Sequence, residues 1–254
     1  MSSEKEKTGD PTRMLRLLWR HRLGEEEGAR GPRKKLALDQ VIDAAIALAD
    51  REGLETFSMR RLAEELGTSA TSLYTYVPGR GELIGLMIDQ VIGRTPLPEH
   101  AGELRERLHT LAQLLWEEYH RHPWLLESRS HRPWIGPGIS ARYEWELAAV
   151  EGCGLDDIAM DHAISLIESH AAANAANAIT ARQLAEGSGI TDLEWWNLHG
   201  PILAEVMPAD EFLISGRVGQ AVGTAYSSIT SHRAIFEFGL EVILDGIEAR
   251  LRQN

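Results

Sequence analysis

Two short helices joined by a turn too tight to let them run side by side are the strongest constraint in this chain. They lie between Ser58 and Val77. Ser58 is a capping residue, and Met59, Leu62, Ala63 and Leu66 follow it at the spacing of one helical face. Gly67 can take the left-handed conformation that closes such a helix. Ser69 then offers a second cap, and the spacing predicts a helix over Ala70 to Val77 that Pro78-Gly79 stops. A turn this short makes the helices cross steeply, and the first turn of the second faces outward. That is the geometry with which a helix-turn-helix offers a recognition helix to the major groove of double-stranded DNA.

The rest of the chain is read around that pair. Leu38 to Glu52 forms a preceding helix with Ile42, Ala45, Ile46 and Ala49 as its buried stripe, closed by Gly53. Arg80 to Gly93 forms a following one with Ile84, Met87, Ile88 and Val91 on one face. Thr95-Pro-Leu-Pro98 marks a boundary, and beyond it the pattern is helical over about 101–121, 123–129, 138–152, 155–186, 192–206, 210–229 and 231–252. No alternating strand pattern appears, so the expected fold is all-α. Three segments follow: a basic extension over 1–35, a helix-turn-helix domain with its connecting helix over 36–94, and a larger helical domain over 95–254.

The net charge of −12 argues against a nucleic-acid partner until its distribution is read. Residues 1–35 hold ten Lys/Arg against six Asp/Glu (+4), residues 36–94 hold five against nine (−4), and the remainder holds eleven against twenty-three (−12). The acidity therefore lies mostly away from the helix pair. Within the extension, Arg13 to Arg22 predicts a short amphipathic helix laid on the surface. Arg30, Arg33, Lys34 and Lys35 stand just ahead of the first long helix, either as a solvated tail or as an arm that neutralises phosphates.

Cys153 is the only cysteine, which excludes an intramolecular disulfide and a thiolate cluster and fits a reducing compartment. No run reaches the length of a membrane span and no apolar leader core opens the chain, so a cytoplasmic protein without a membrane partner is expected. His120 and His122 fall on different faces of a helix, and no paired ligand array accompanies them, so no metal is expected. Gly187-Ser-Gly189 has no strand before it and is not read as a phosphate cradle. No nucleophile–base pair or cofactor motif appears, which points away from an enzyme and from any cofactor.

The stretches Ser58-Met-Arg-Arg-Leu-Ala-Glu-Glu-Leu-Gly67 and Ser72-Leu-Tyr-Thr-Tyr-Val-Pro-Gly-Arg80, with Glu82-Leu83, resemble the N-terminal domain of the TetR family of repressors. His122-Pro-Trp, Gly136-Pro-Gly138 and Phe236-Glu-Phe-Gly-Leu-Glu-Val-Ile-Leu-Asp-Gly246 resemble the ligand-binding domain of its tetracycline-repressor-like branch. The resemblance implies a homodimeric repressor on a palindromic operator, released by a small, aromatic, antibiotic-like effector. It also implies a four-helix-bundle dimer, and a lever in the helix from Arg80 to Gly93.

The candidate residues divide accordingly. Ala70, Thr71, Ser72 and Thr75 face outward near the start of the recognition helix, where short hydroxyls and methyls reach base edges. Tyr74 and Tyr76 are either phosphate contacts or packing residues. By resemblance, Arg60 reaches a guanine or a phosphate, and Arg80 matches a phosphate-binding lysine. In the larger domain, His170, Asn174 and Asn177 recur on one face of an apolar helix and need partners. They either line an aromatic-walled pocket, with Trp116, His120, Trp124 and Trp134, or bond across a dimer interface. Phe236, Leu240, Ile243 and Ile247 form the apolar stripe expected at that interface, with Gly239 and Gly246 permitting close approach.

Overall fold

The computed structural model describes residues 11–24, 36–128, 134–207 and 210–252, and among these every regular element is a helix. The first five are α1 (Pro11–Leu18), α2 (Arg20–Leu23), α3 (Leu38–Glu52), α4 (Met59–Glu65) and α5 (Ala70–Leu73). Then come α6 (Arg80–Arg94), α7 (Leu104–Arg121), α8 (Trp124–Glu127) and α9 (Pro137–Ala148). The chain continues with α10 (Asp157–Ser188), α11 (Asp192–Val206), α12 (Leu213–Tyr226) and α13 (His232–Leu251).

Two apolar cores hold most of these helices, and α11 and α12 contribute no described residue to either. In the first, Val41, Ile42, Ala45 and Leu48 of α3 meet Leu62 of α4, Leu73 of α5, and Leu83 and Met87 of α6. Ala37 supplies no side-chain cap to α3; the Gln40 carboxamide accepts its N–H instead at 2.9 Å. The second core is a layer of α7, α10 and α13. Leu108, Leu111 and Leu115 face Ile164, Ile167 and Ala171, and Phe236, Leu240 and Leu244 close the layer. The Arg105 guanidinium on α7 adds a fork that reaches Glu241, Asp245 and Glu248 on α13.

Three expectations change at this level. The N-terminal amphipathic helix is no surface attachment: Met14 and Leu18 of α1 are buried in the first core, and Arg20 pairs with Asp39 of α3. The recognition helix is shorter than the spacing predicts. Regular α-helix ends at Leu73, and Thr75 and Tyr76 continue through tighter bonds to the carbonyls of Ser72 and Leu73 (3.1 and 2.9 Å). The residue before a proline avoids helical backbone, so the segment tightens ahead of Pro78 rather than running on. Trp124 of α8 also belongs to the first core, where its Nε1 donates to Asp50 Oδ1 at 2.6 Å.

Helices α6 and α9 fix the middle of the molecule. Gly138 lies so close to α6 that a Cβ there would stand 2.1 Å from the Asp89 carbonyl and 2.8 Å from Gly93 N. Asp89 is buried at this crossing and caps the start of α9, accepting from Ile139 N at 2.9 Å and from the Gly138 backbone. Burial raises its carboxyl above the usual range, and those two bonds act against the rise.

Candidate nucleic-acid interface and internal cavity

At the helix pair the two caps form as the sequence predicts. Ser58 Oγ accepts from Arg61 N and Ser69 Oγ from Ser72 N, both at 3.2 Å, satisfying donors that a helix start leaves free. Gly67, at φ +61°, turns the chain between them. Arg61 pairs with Glu52 and Glu65 and fastens α4 to the end of α3.

The outward face then sorts the sequence candidates. Arg60 is 87% exposed and holds only Glu64, one turn on in the same helix, at 3.1 Å. Thr71, Tyr74 and Thr75 are exposed; Ala70 and Ser72 are half-buried, with the Ser72 and Ser69 hydroxyls bonded at 2.9 Å. Two candidates are engaged within the chain. Tyr76 is buried in the first core and its hydroxyl accepts from Leu36 N at 3.3 Å, so packing is its role. Arg80 turns back toward the chain: its Nε donates to the Phe57 carbonyl (3.1 Å) and a terminal nitrogen donates to that of Leu54 (2.8 Å). It ties α6 to the connection between α3 and α4. Arg30, Arg33, Lys34 and Lys35 lie outside the described residues.

Behind this unit a cavity of about 1210 Å³ opens between α6, α7, α8, α9, α10 and the start of the linker before α4. Ile84, Ile88 and Ile92 of α6 form one wall, and Tyr119, Trp134 and Tyr143 supply aromatic surface. Its polar end is made of buried charge. Glu118 of α7 accepts two bonds from the Arg142 guanidinium of α9 (2.8 and 3.2 Å) and one from the Thr95 hydroxyl (2.6 Å). One turn beyond Arg142, Glu146 is buried as well, and its carboxyl is bonded to that of Glu168 on α10. Burial, and the second carboxylate beside it, push the Glu146 carboxyl well above the usual range; Arg142 pulls the other way.

Of the residues expected to bind a ligand, only Trp134 lines this cavity. Trp116 packs in the second core against Phe236, and His120 stacks on Trp116 and bonds its carbonyl at 2.7 Å. His170 Nε2 donates to the Phe236 carbonyl at 2.8 Å, and Asn174 donates to the His170 carbonyl at 2.9 Å. That polar pair therefore serves the crossing of α10 with α13, and Asn177 stands exposed on the same helix. Neither the pocket nor an interface between chains is needed to satisfy His170 and Asn174.

The expected dimer stripe is corrected too. Phe236, Leu240 and Ile247 are buried in their own chain's second core and Ile243 packs against it. Gly239 does permit a close approach, but to His170 of the same chain, whereas a Cβ on Gly246 would meet nothing within 4 Å. The exposed apolar face of α13 is the other one, Ile235, Phe238 and Val242, and Trp196, Ile202, Ile214 and Val218 on α11 and α12 are exposed as well. Glu118, Arg142 and Glu146 are the site residues that sequence reasoning missed. The available signal was a charge inside an apolar stripe: Glu118 continues the Leu108, Leu111, Leu115 face of α7.

Comparison with known proteins agrees with this architecture. Residues 41–85 match the family model for bacterial regulatory proteins of the tetR family, and residues 95–251 match that for the tetracyclin repressor-like C-terminal domain. The HTH-type transcriptional repressor DrrR1 of Streptomyces coeruleorubidus is 37% identical over all of this chain and 91% of its own. Apo ActR of Streptomyces coelicolor superimposes with a TM-score of 0.67 at 28% identity, over 89% of this chain and 99% of that one. ActR in complex with actinorhodin gives a TM-score of 0.67 at 27% identity, over 87% of this chain and 99% of that one. Among the described residues no helix is long and apolar enough to cross a membrane.

Proposed function

The chain belongs to the tetR family of bacterial regulatory proteins and is a DNA-binding transcriptional repressor, and from that premise we propose how it is switched. It acts as a homodimer on a palindromic operator and leaves it when a small effector with aromatic surface, an antibiotic-like compound, fills the cavity beside α6. Residues 36–94 are the DNA-reading part, 95–254 the effector and dimer part, and the cations of 1–35 add phosphate contacts.

One observation carries this reading: α6 has two clients. Leu83, Leu86 and Met87 on one side complete the core beneath the recognition helix, while Ile84, Ile88 and Ile92 on the other wall the cavity. A guest that fills the cavity therefore moves the helix that supports α5, through Arg80 and the linker it holds. In a twofold dimer the recognition helices must meet major grooves about 34–36 Å apart or a multiple of that, so a small rotation of α6 ends the match. The effector acts only to the extent that it prefers the released state; a swing from 1:99 to 99:1 needs about a 10⁴-fold preference. The solved complex of ActR with actinorhodin supports a small-molecule effector for this architecture.

The test is a gel-shift series on the DNA upstream of the protein's own reading frame. Ile88→Trp, which narrows the cavity at its α6 wall without filling it, is expected to keep operator binding and lose release by any compound that releases the parent chain. Release that persists unchanged in Ile88→Trp would place the effector elsewhere.

A further inference from the structure

The polar end of the cavity holds a buried carboxyl that the chain itself neither pairs with a cation nor fully hydrogen-bonds. Glu146 is 2% exposed, lines the cavity, and its Oε1 has no hydrogen-bond partner among the described residues. A buried carboxyl with an idle oxygen is costly unless a ligand completes it. The nearest cation cannot do so. Arg142 has both terminal nitrogens committed to Glu118, so that pair is neutral as a unit. What remains on this wall is a set of carboxyls: Glu146 with Glu168 bonded to it, and Glu144 beside them.

We propose that the effector carries a protonated amine, and that Glu146, assisted by Glu168, receives it at the α9–α10 end of the cavity. This rests on the effector reading given above and names the chemistry of its guest. An ammonium donates to the idle Oε1 and favours the ionised carboxylate that burial without a cation disfavours. Ile84, Ile88, Trp134 and Tyr119 give the cavity an apolar and aromatic wall, which suits a flat hydrocarbon body, while Glu55, Arg80 and Glu127 also line it. A metal ion is the poorer guest, because no group of three His, Cys, Asp or Glu able to hold one occurs among the described residues. The Arg142 Nε, buried and without a partner, is a remaining donor for an acceptor on the same ligand.

Three probes share one ring system and differ in one head group: 9-(aminomethyl)anthracene, 9-(hydroxymethyl)anthracene and anthracene-9-carboxylic acid. Titrated calorimetrically into the full chain near neutral pH, the amine is expected to bind at least about tenfold more tightly than the alcohol, and the acid most weakly. Glu146→Gln is expected to bring amine and alcohol to near parity while leaving the alcohol's affinity unchanged. Glu168→Gln, on the neighbouring helix, gives a second reading should Glu146→Gln melt early. Equal binding of amine and alcohol to the parent chain, or an amine preference that survives both variants, overturns the amine proposal and leaves the cavity as the effector site. Failure of all three probes to bind below about 1 mM overturns both.

Discussion

At the scale of single residues, exposure and bonding separate side chains that the sequence presents as equals. Arg60 and Arg80 both flank the recognition helix, yet only Arg60 has a guanidinium free to leave its present partner. Its bond to Glu64 is a surface pair worth at most about 0.5 kcal/mol, so Arg60→Ala is expected to leave the melting temperature unchanged. Operator affinity, read by fluorescence anisotropy, is expected to fall by about 1–3 kcal/mol. Arg80→Ala loses two bonds to buried-chain carbonyls and is expected to cost about 1.5 kcal/mol of stability first. Equal stability losses in the two variants would refute the distinction. Glu146 makes a second residue-scale prediction, about pH. Its folded carboxyl is raised above the unfolded value, so the folded chain holds a proton that the unfolded chain has released, and stability drains away as pH climbs above the ordinary carboxylate range. Glu146→Gln removes that loss. Compared with the parent by calorimetry, the variant is expected to gain in relative melting temperature as pH rises from about 5 to about 8, and to gain no more above that. A constant offset across that range would show that Glu146 does not titrate in this way.

At the scale of elements, the crossing of α6 and α9 is where a single methyl group matters most. Gly138→Ala would push a Cβ into the backbone of α6, which cannot retreat as a side chain can, and the expected cost is about 1–3 kcal/mol. Gly246→Ala on α13 meets open space within its own chain and is expected to stabilise the helix by about 0.5–1 kcal/mol, read by urea unfolding. The contrast shows what a sequence can and cannot announce. Periodicity located nearly every helix, and capping serines located the helix pair, because both signals are local. The direction a helix faces is not local. Helix α13 is apolar on two sides, and Phe236, Leu240 and Ile247 looked as fit for a partner as Ile235, Phe238 and Val242; only the packing of α7 and α10 decides between them. His170 and Asn174 misled for the same reason, since a backbone carbonyl on α13 is invisible in the order of residues. The cavity was illegible because its walls come from five helices and its charges pair across 24 positions, as Glu118 does with Arg142.

At the scale of the whole molecule, the question is what covers the apolar surface that one chain leaves open. Phe238 is 73% exposed, with Ile235 and Val242 on the same stripe, and α11 and α12 leave Trp196, Ile214 and Val218 exposed as well. Single exposed apolar residues are ordinary, whereas a run of this kind along consecutive helices marks an interface. A twofold axis through this face would also set the two recognition helices at a fixed separation, which a palindromic operator requires. The two faces of α13 then predict opposite failures. Phe238→Asp with Val242→Asp is expected to sediment as a folded monomer, with helical circular dichroism intact and operator affinity reduced by orders of magnitude, because one half-site must now be held alone. Leu240→Asp places a charge in the chain's own core and is expected to unfold it rather than dissociate it. If the double variant sediments as the parent does and binds the operator as tightly, then this stripe of α13 faces solvent in the active molecule. The recognition helices must in that case be spaced by contacts elsewhere.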